Sequence, residues 1–465
     1  MSHEKLVSIR QDVDPNSFQT SKSNFIEGDK EIGYAALMTI MDEQMQDVDS
    51  SFIALSAGSN LVSVAMILWG MRNQKSLILL DPEYSRSHVD ELIQKFKPTV
   101  YVNGMDASAI DWSSFGWKLN IKKLDTLQNV FDPQVLLSTS GTTGNPRHVR
   151  LGLPGVVANA KAIVKSIELL ETDSTIVNLA PHYSYGLSVI TSGVISGIDF
   201  HFVKSSFTEQ TFWDYVATNK ITYLSGVPFF WESLLRMKWN LASHTSLRKL
   251  TQAGGRLSVS AQEKIINQCN LANCEFRVMY GQTEAGPRMT IMEWPTSVEK
   301  IGSVGKPIDG GRIEIENPDT NGVGEVVFTG PSVMLGYADE LRDLYLGDTT
   351  KSILKTGDLG YVDTEQHLWI TGRIKRIAKL NGTRINLDDM EKHFSTLGSF
   401  YAVSNSAKIV MFHLHDIEFS ETEFKNLAQR LGLNHRLIES RGIDQIPVLS
   451  NGKIDYQSLV GRLNE

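Results

Sequence analysis

Between Ser76 and Val102 the chain writes out a strand, a helix and a second strand, and no other feature narrows its fold as much. SLILL (Ser76–Leu80) is an apolar run stopped by Asp81-Pro82. Val89, Leu92, Ile93 and Phe96 then recur at helical spacing until Pro98, after which TVYV (Thr99–Val102) reads as the next strand. Parallel strands need a crossover connection, so this order predicts a largely parallel sheet with helices packed on its faces. The pattern returns at Ile221–Leu224 followed by Phe230–Leu235, and again near Phe276–Tyr280. From about Gly302 to Asp363 the texture changes to short β-branched runs (RIEIE, GEVVF, GYVD) set among Gly, Asn, Asp and Pro, which predicts antiparallel hairpins or a small barrel. The last ninety or so residues, after Arg373-Ile374-Lys375, read as a small α+β unit. The expected fold class is therefore α/β: a large N-terminal domain over 1–374 with its barrel-like part at about 302–374, and a C-terminal domain over 375–465. A chain of 465 residues has room for two or three domains.

Composition removes several function classes. A hydrophobic fraction of 41% with 21% charged residues belongs to a folded globular chain, not to a disordered one. The net charge of −8 repels phosphate backbones, so no nucleic-acid partner is expected. Cys269 and Cys274 are too few and too close to staple a long loop or make a four-ligand metal site, which suits a reducing, cytoplasmic setting. The polar N-terminus, with charges of both signs, lacks the basic start and apolar run of an export signal. Ser50–Met71 and Ser174–Ile198 are long and uncharged, but Ser, Asn, Gly, Pro or His interrupts each, so buried core is expected and no membrane span.

The segment richest in chemistry is STSGTTGNPR, Ser138–Arg147. An apolar strand runs into a loop of hydroxyls and glycines and then a cation, which supplies what a triphosphate needs: close backbone approach, N–H and O–H donors, and positive charge. It is not a Walker A loop, because Gly144 is followed by Asn145-Pro146-Arg147 instead of Lys-Ser/Thr. Taken alone, such a loop is a surface turn more often than a phosphate cradle. Tyr280-Gly281-Gln282-Thr283-Glu284 adds an aromatic able to stack on a base, a hydroxyl, and a carboxylate able to hold Mg²⁺ through oxygen. Lys355-Thr356-Gly357-Asp358 reads as a tight turn presenting one carboxylate, the arrangement that grips two ribose hydroxyls. Gly372-Arg373 and Asn451-Gly452-Lys453-Ile454-Asp455 offer cations on glycine-flexible loops. Each of these is a common turn by itself; together, and in this order, they are specific.

These five ordered motifs, STSGTTGNPR, YGQTE, KTGD, GRIKRIAKLNGTRI and NGKID, give the chain a resemblance to the adenylate-forming superfamily of acyl-CoA synthetases, firefly luciferases and nonribosomal-peptide adenylation domains, from about residue 50 to 460. The resemblance implies a large N-terminal domain of two sheets with intervening helices plus a small barrel, joined through a hinge to a mobile C-terminal domain. It implies that Thr139, Ser140, Gly141, Thr142, Thr143 and Gly144 cradle the phosphates of ATP, with Arg147 closing the loop. Gly254, Gly255 and Arg256 would line the adenine pocket, Tyr280 would stack on the base, and Gly281 and Gln282 would also bind the nucleotide. Thr283 would touch the α-phosphate, Glu284 would hold Mg²⁺, and Asp358 would bind the ribose with Arg373 beside it. Lys453 would be the catalytic lysine, Lys375 the hinge, and Lys379 a lysine of the second conformation. His182, Tyr183, Tyr185, Val227 and Ala253 would wall the acyl pocket, although a lone histidine such as His182 is as often a satisfied wall residue.

The activity implied is AMP-forming ligation. A small carboxylic acid attacks the α-phosphorus of ATP, pyrophosphate leaves, and the acyl group passes from the adenylate to the thiol of coenzyme A or of a carrier protein's phosphopantetheine arm. The carboxylate is ionised at neutral pH, so no general base is required. Three departures stand out. Arg147-His148 replaces the usual Lys-Gly; the chain is shorter than many relatives; and the segment around Tyr185 lacks the Phe-Asp pair that anchors amino-acid substrates. Two other readings stay open: a carrier-protein-loading enzyme, and a nucleotide-binding protein without catalysis. The retained Glu284, Asp358 and Lys453 speak against the second.

Overall fold

The computed structural model describes residues 14–48, 50–104, 121–124, 131–139, 147–380, 383–394, 399–405, 407–415, 437–449 and 454–464, with five further positions at 420, 422, 423, 426 and 429. Ser140 to Gly144 and Lys453, and the side chain of Lys379, lie outside the described residues.

The apolar runs become central strands. Phe52–Ser56 and Ser76–Leu80 are buried at every position, as strands covered on both faces must be. They pair in parallel with each other and with Val100–Asn103 and Gln134–Ser138. Antiparallel strands His148–Gly152, Gly336–Ala338 and Ile121–Lys123 complete a seven-stranded sheet. Strand side chains alternate in direction, and the two faces feed different cores. Ile53, Leu55, Leu77, Leu79, Val135 and Leu137 join the main core, whereas Phe52, Ala54, Ile78, Leu80 and Leu136 pack with Val89, Leu92 and Phe96 of the helix Arg86–Phe96.

The main core is shared with a nine-stranded sheet. Its parallel centre runs Glu275–Tyr280, Lys249–Gln252, Tyr223–Gly226, Ser174–Ile176, Asp199–His201 and Asn24–Glu27, with antiparallel strands at both edges. The two uncharged stretches each resolve into a strand plus a helix inside this core. Leu61–Arg72 is buried along all but its last residue, and the Asn60 side chain caps it by accepting from the Ser63 N–H. Ser184–Ser196 is buried over its first eleven residues. No helix among the described residues is long and apolar enough to cross a membrane.

The hairpin-rich segment folds as a four-stranded antiparallel sheet of Arg312–Glu316, Gly324–Thr329, Ile353–Val362 and Leu368–Arg373. KTGD is not the tight turn that its sequence suggested. It lies inside the strand Ile353–Val362 as a bulge, because Leu359 pairs with Glu325 while Lys355 pairs with Val327. Gly357 takes φ 70° there, and the Thr356 hydroxyl donates to the Val326 carbonyl across the interruption.

Beyond it, Tyr401–Ser404, Ile409–Leu414 and Ile438–Ile443 form a three-stranded sheet next to the ribbon Ile377–Leu380 and Thr383–Asn386. Its two apolar clusters, one around Met390, Phe400 and Met411 and one around Val410, Phe412 and Leu459, draw on no described residue before Ala378.

Candidate functional site

Ligands of open α/β sheets gather outside the carboxyl ends of parallel strands. Ala57, Asp81 and Thr139 follow three strands of the seven-stranded sheet, and Val227, Ala253-Gly254 and Gly281-Gln282 follow three strands of the nine-stranded sheet. Six of the anticipated residues therefore sit where these strands end, along with Ala57 and Asp81, to which sequence reasoning gave no role at the site.

The most highly connected group is Asp358. It is almost fully buried, and its two oxygens hold three partners. Oδ2 accepts from the Tyr280 hydroxyl at 2.6 Å and from Gln282 Nε2 at 2.8 Å, and Oδ1 pairs with Arg373 Nε at 3.0 Å. Arg373 reaches it because the two residues are direct cross-strand partners. Gln282 also donates to the Thr356 carbonyl at 2.9 Å, which ties the end of the strand Glu275–Tyr280 to the bulge. Burial, with the Asp358 charge beside it, pushes the Tyr280 phenol far up, so it stays a donor.

The next residues along the chain turn to other partners. Thr283 Oγ1 lies 3.1 Å from Ser184 Oγ at the start of the helix Ser184–Ser196. Glu284 Oε1 accepts from the Tyr337 hydroxyl at 3.0 Å, and the Arg147 guanidinium stacks 4.0 Å above the Tyr337 ring. Desolvation, and then the Glu284 charge, raise the Tyr337 phenol. Arg147 is also 3.9 Å from Asp339. The Thr139 N–H donates to the Arg147 carbonyl at 2.9 Å, above the last strand pair Ser138 and His148. The hydroxyl-rich loop is thus closed at its base as a hairpin, and its cationic end stands beside Glu284. His148, the other departure at this loop, is a core residue whose ring packs edge-on against Phe96 at 4.8 Å.

A third group surrounds His182. Its Nδ1 is 2.8 Å from the Ala57 carbonyl, which can only accept, so the proton sits on Nδ1. Nε2 lies 3.5 Å from Asp81 Oδ2. Tyr183 is buried, and its hydroxyl stands 2.4 Å from where a Cβ on Gly254 would be, with Val227 3.2 Å from the same point. Only glycine allows that approach. Gly281 is required more strictly, since the Pro287 carbonyl passes 1.7 Å from the position its Cβ would take. The Gly255 carbonyl accepts from Gln252, while Arg256 is exposed and its charge is felt by Asp389 of the helix Leu387–Phe394. Tyr185 is fully buried, its hydroxyl 2.9 Å from Thr251 Oγ1. Ala253 is buried beside these residues, and Lys375 is exposed in the turn Ile374–Arg376.

Glu284 has one oxygen uncommitted to Tyr337, and no cluster of three or more His, Cys, Asp or Glu that could hold a metal is found among the described residues. A single carboxylate of this kind suits Mg²⁺, which keeps waters and takes its other ligands from phosphate oxygens. Ser184, Tyr337, Thr356 and Asp81 were missed because each is an ordinary residue in sequence. Tyr337 lies 53 positions from Glu284, and only the pairing of Gly336–Ala338 onto His148–Arg150 brings it there.

Comparison with known proteins gives the same picture. The chain is 25% identical over 339 residues to 2-succinylbenzoate–CoA ligase of Listeria monocytogenes, covering 70% of this chain and 69% of that enzyme. It is 24% identical over 433 residues to the Lactococcus lactis enzyme of the same name, covering 89% and 91%. It shares its fold with the O-succinylbenzoate coenzyme A synthetase of Bacillus subtilis solved with AMP, at a TM-score of 0.75 and 19% identity over 97% of this chain and 98% of that one. The family model described as AMP-binding enzyme matches residues 88–338, which is more than half of the sequence and runs from the helix after Asp81 to the strand that carries Tyr337. With that match, and with Tyr280, Glu284 and Asp358 drawn into one connected site, the chain belongs to the AMP-binding enzyme family.

Proposed function

We propose that this protein is an AMP-forming acid–thiol ligase that activates a small carboxylic acid with ATP and passes the acyl group to coenzyme A. The observation that carries the reading is the continuous path Asp358–Gln282–Thr283–Glu284–Tyr337–Arg147, which sets a ribose acceptor, a hydroxyl, a metal-binding carboxylate and a cation side by side. The curated relatives, named as CoA ligases, support coenzyme A over a carrier protein as acceptor.

On this reading Asp358 accepts from the ribose hydroxyls, with Arg373 paired to it at 3.0 Å. Tyr280 and the Gly254-Gly255 segment flank the base. Ser140 to Gly144 meet the phosphates, and Arg147 adds charge at their edge. Glu284 would hold magnesium, which would supply charge neutralisation at the phosphates. The substrate carboxylate attacks the α-phosphorus in line, forming the acyl–phosphate bond as pyrophosphate departs, with Thr283 and Lys453 stabilising charge on the phosphoryl oxygens. The thiol sulfur then bonds to the acyl carbon, the thiol proton is lost, and AMP leaves. His182, its proton fixed on Nδ1, forms a wall of the acyl pocket with Tyr183, Tyr185, Val227 and Ala253. We further propose that residues 375–465 turn about Lys375 between the two half-reactions, withdrawing Lys453 and bringing up Lys379.

The test is pyrophosphate release from the purified protein with ATP and Mg²⁺ across a panel of carboxylic acids. Each acid is run with coenzyme A, with a phosphopantetheinylated carrier protein, and with neither. Acid-dependent release that Lys453→Ala lowers by orders of magnitude, with nucleotide binding kept, is the expected result. Binding of ATP with no release for any acid would favour the non-catalytic reading.

A further inference from the structure

Arg288 lies eight residues past Tyr280, between the turn at Thr283–Ala285 and the strand Thr290–Ile291, and it is wholly buried. Among the described residues none of its three guanidinium nitrogens has a hydrogen-bond partner, and no carboxylate pairs with it. The fold satisfies its other fully buried arginine differently. Arg150 Nη2 donates to the carbonyls of Leu335 and Gly347 at 3.0 and 3.2 Å, and its Nη1 donates to the carbonyl of Leu346. The Arg288 guanidinium instead lies over the face of Tyr185, with its Cζ 5.0 Å from the ring centroid. The Tyr185 hydroxyl is engaged with Thr251, within a buried group of hydroxyls that includes Ser225 and Tyr223. A ring face does not replace the water that a guanidinium gives up on burial, and an uncompensated buried cation is strongly unfavourable. The backbone holds it there nonetheless: Asn159 Nδ2 donates to the Arg288 carbonyl at 2.9 Å, and the Met289 N–H donates to that of Tyr280.

We propose that Arg288 is the counter-ion for a second carboxylate on the acid substrate, so that the enzyme selects dicarboxylic acids. The inference rests on the proposed acid activation and names the substrate class of that site. A planar guanidinium with its whole fork uncommitted matches a carboxylate through two parallel hydrogen bonds. The reacting carboxylate belongs elsewhere. Ser184 meets Thr283, whereas Tyr185 meets Arg288, and successive residues of a helix point about 100° apart. On this proposal the second carboxylate sits beside Tyr185, away from Ser184 and Thr283, and the acid spans the two positions with one carboxylate at each.

The test uses matched pairs: succinate with butanoate, adipate with hexanoate, phthalate with benzoate, and 2-succinylbenzoate with 4-oxo-4-phenylbutanoate. Pyrophosphate release is measured for the full-length protein and for Arg288→Met and Arg288→Lys. In at least one pair the diacid should exceed its partner in kcat/KM by on the order of 100-fold, the range for a buried charge pair that loses one member. Arg288→Met should collapse that preference and raise turnover of the monoacid, and Arg288→Lys should retain part of it. Without ligand, Arg288→Met should melt at or above the wild-type temperature, because it removes an unpaired buried charge. A wild-type enzyme that prefers the monoacid in every pair, or a diacid preference untouched by Arg288→Met, overturns the proposal while leaving acid activation standing. If no acid supports release, acid activation itself falls, and thermal melting with each diacid decides Arg288. A rise in melting temperature that Arg288→Met abolishes keeps the anion site, and no rise removes it.

Discussion

Asp358→Asn changes one buried oxygen to an NH₂ and little else in shape. The carboxylate holds three partners, at 2.6 Å from Tyr280, 2.8 Å from Gln282 and 3.0 Å from Arg373. A hydrogen bond to a charged group contributes about 1.5–3 kcal/mol against about 0.5–1.5 for a neutral one, so neutralisation costs about 1 kcal/mol per partner. The Arg373 side is worse, because the asparagine NH₂ or its flipped oxygen must leave either Arg373 or the Tyr280–Gln282 pair facing a donor. Together these predict about 3–4 kcal/mol of lost folding stability before any ligand is considered. Two ribose hydroxyls that donate to this carboxylate would lose a similar increment each, about 2–3 kcal/mol in all, which raises KM for ATP roughly 30- to 150-fold. The assay is pyrophosphate release with ATP, 2′-deoxyATP and 3′-deoxyATP, alongside a melting curve. Wild-type protein should discriminate against both deoxynucleotides, and the variant should discriminate much less. A variant that melts earlier but keeps the wild-type KM and the same discrimination would refute the ribose role and leave Asp358 as a purely structural clamp.

His148 gives a pH prediction. Burial, helped by the charges of Lys95 and His88, lowers its pKa to about 4, whereas the unfolded chain protonates it at about 6.5. The unfolded state binds more protons between those values, so this contribution is complete above pH 6.5 and is lost as pH falls towards 4, about 3 kcal/mol across the window. His148→Leu should flatten the urea midpoint between pH 7 and 4.5 by that amount; an unchanged acid-induced drop would clear His148 of the effect. Tyr337→Phe keeps the ring beneath Arg147 and removes only the hydroxyl that donates to Glu284. The Mg²⁺ concentration for half-maximal pyrophosphate release should rise at least about 10-fold, as is typical when a carboxylate ligand loses its supporting donor; superimposable Mg²⁺ titrations would count against Glu284 as the metal ligand.

What could be read from the chain followed the range of the interactions involved. The alternation from Ser76 to Asn103 was legible because an apolar run and a helical stripe are local, and both formed within a residue or two of where they were expected. KTGD was misread as a turn for the complementary reason. A bulge exists only relative to a partner strand, and the partner, Gly324–Thr329, contributes Glu325, whose side chain accepts from the Gly357 N–H. The Arg147-His148 departure looked like one change and is two: Arg147 stays at the site against Tyr337, and His148 turns inward because strand neighbours face opposite ways. Arg288 gave no signal in Gly286-Pro287-Arg288-Met289, where a cation reads as solvated surface. Its meaning lies in its complete burial and in the absence of hydrogen-bond partners among the described residues, which are properties of the packed fold alone.

The placement of two arginines explains how the proposed rotation at Lys375 avoids a large cost. Arg373 is anchored backwards, to Asp358 in the four-stranded sheet. Arg376 is anchored forwards: it pairs with Asp388 at 2.8 Å and Glu391 at 2.5 Å, donates to the Ala402 carbonyl, and stacks 4.0 Å from the Tyr456 ring. Tyr456 in turn donates to Glu391, and its neighbour Asp455 caps the helix Tyr456–Gly461. Each of these partners of Arg376 lies beyond residue 376, and only Ile374 and Lys375, both exposed, separate the two anchors. Torsion at those two residues keeps the Asp358–Arg373 pair and the Arg376 cluster intact, while the attraction of Asp388 for Arg373 crosses the hinge and would weaken. The contacts it would sever are weaker, such as the 3.4 Å bond from Asn386 to the Thr371 carbonyl and the long-range field between Arg256 and Asp389. Lys453, two residues before Asp455 in the chain, would travel with the Arg376 cluster, while Asp358 would keep its proposed hold on the ribose.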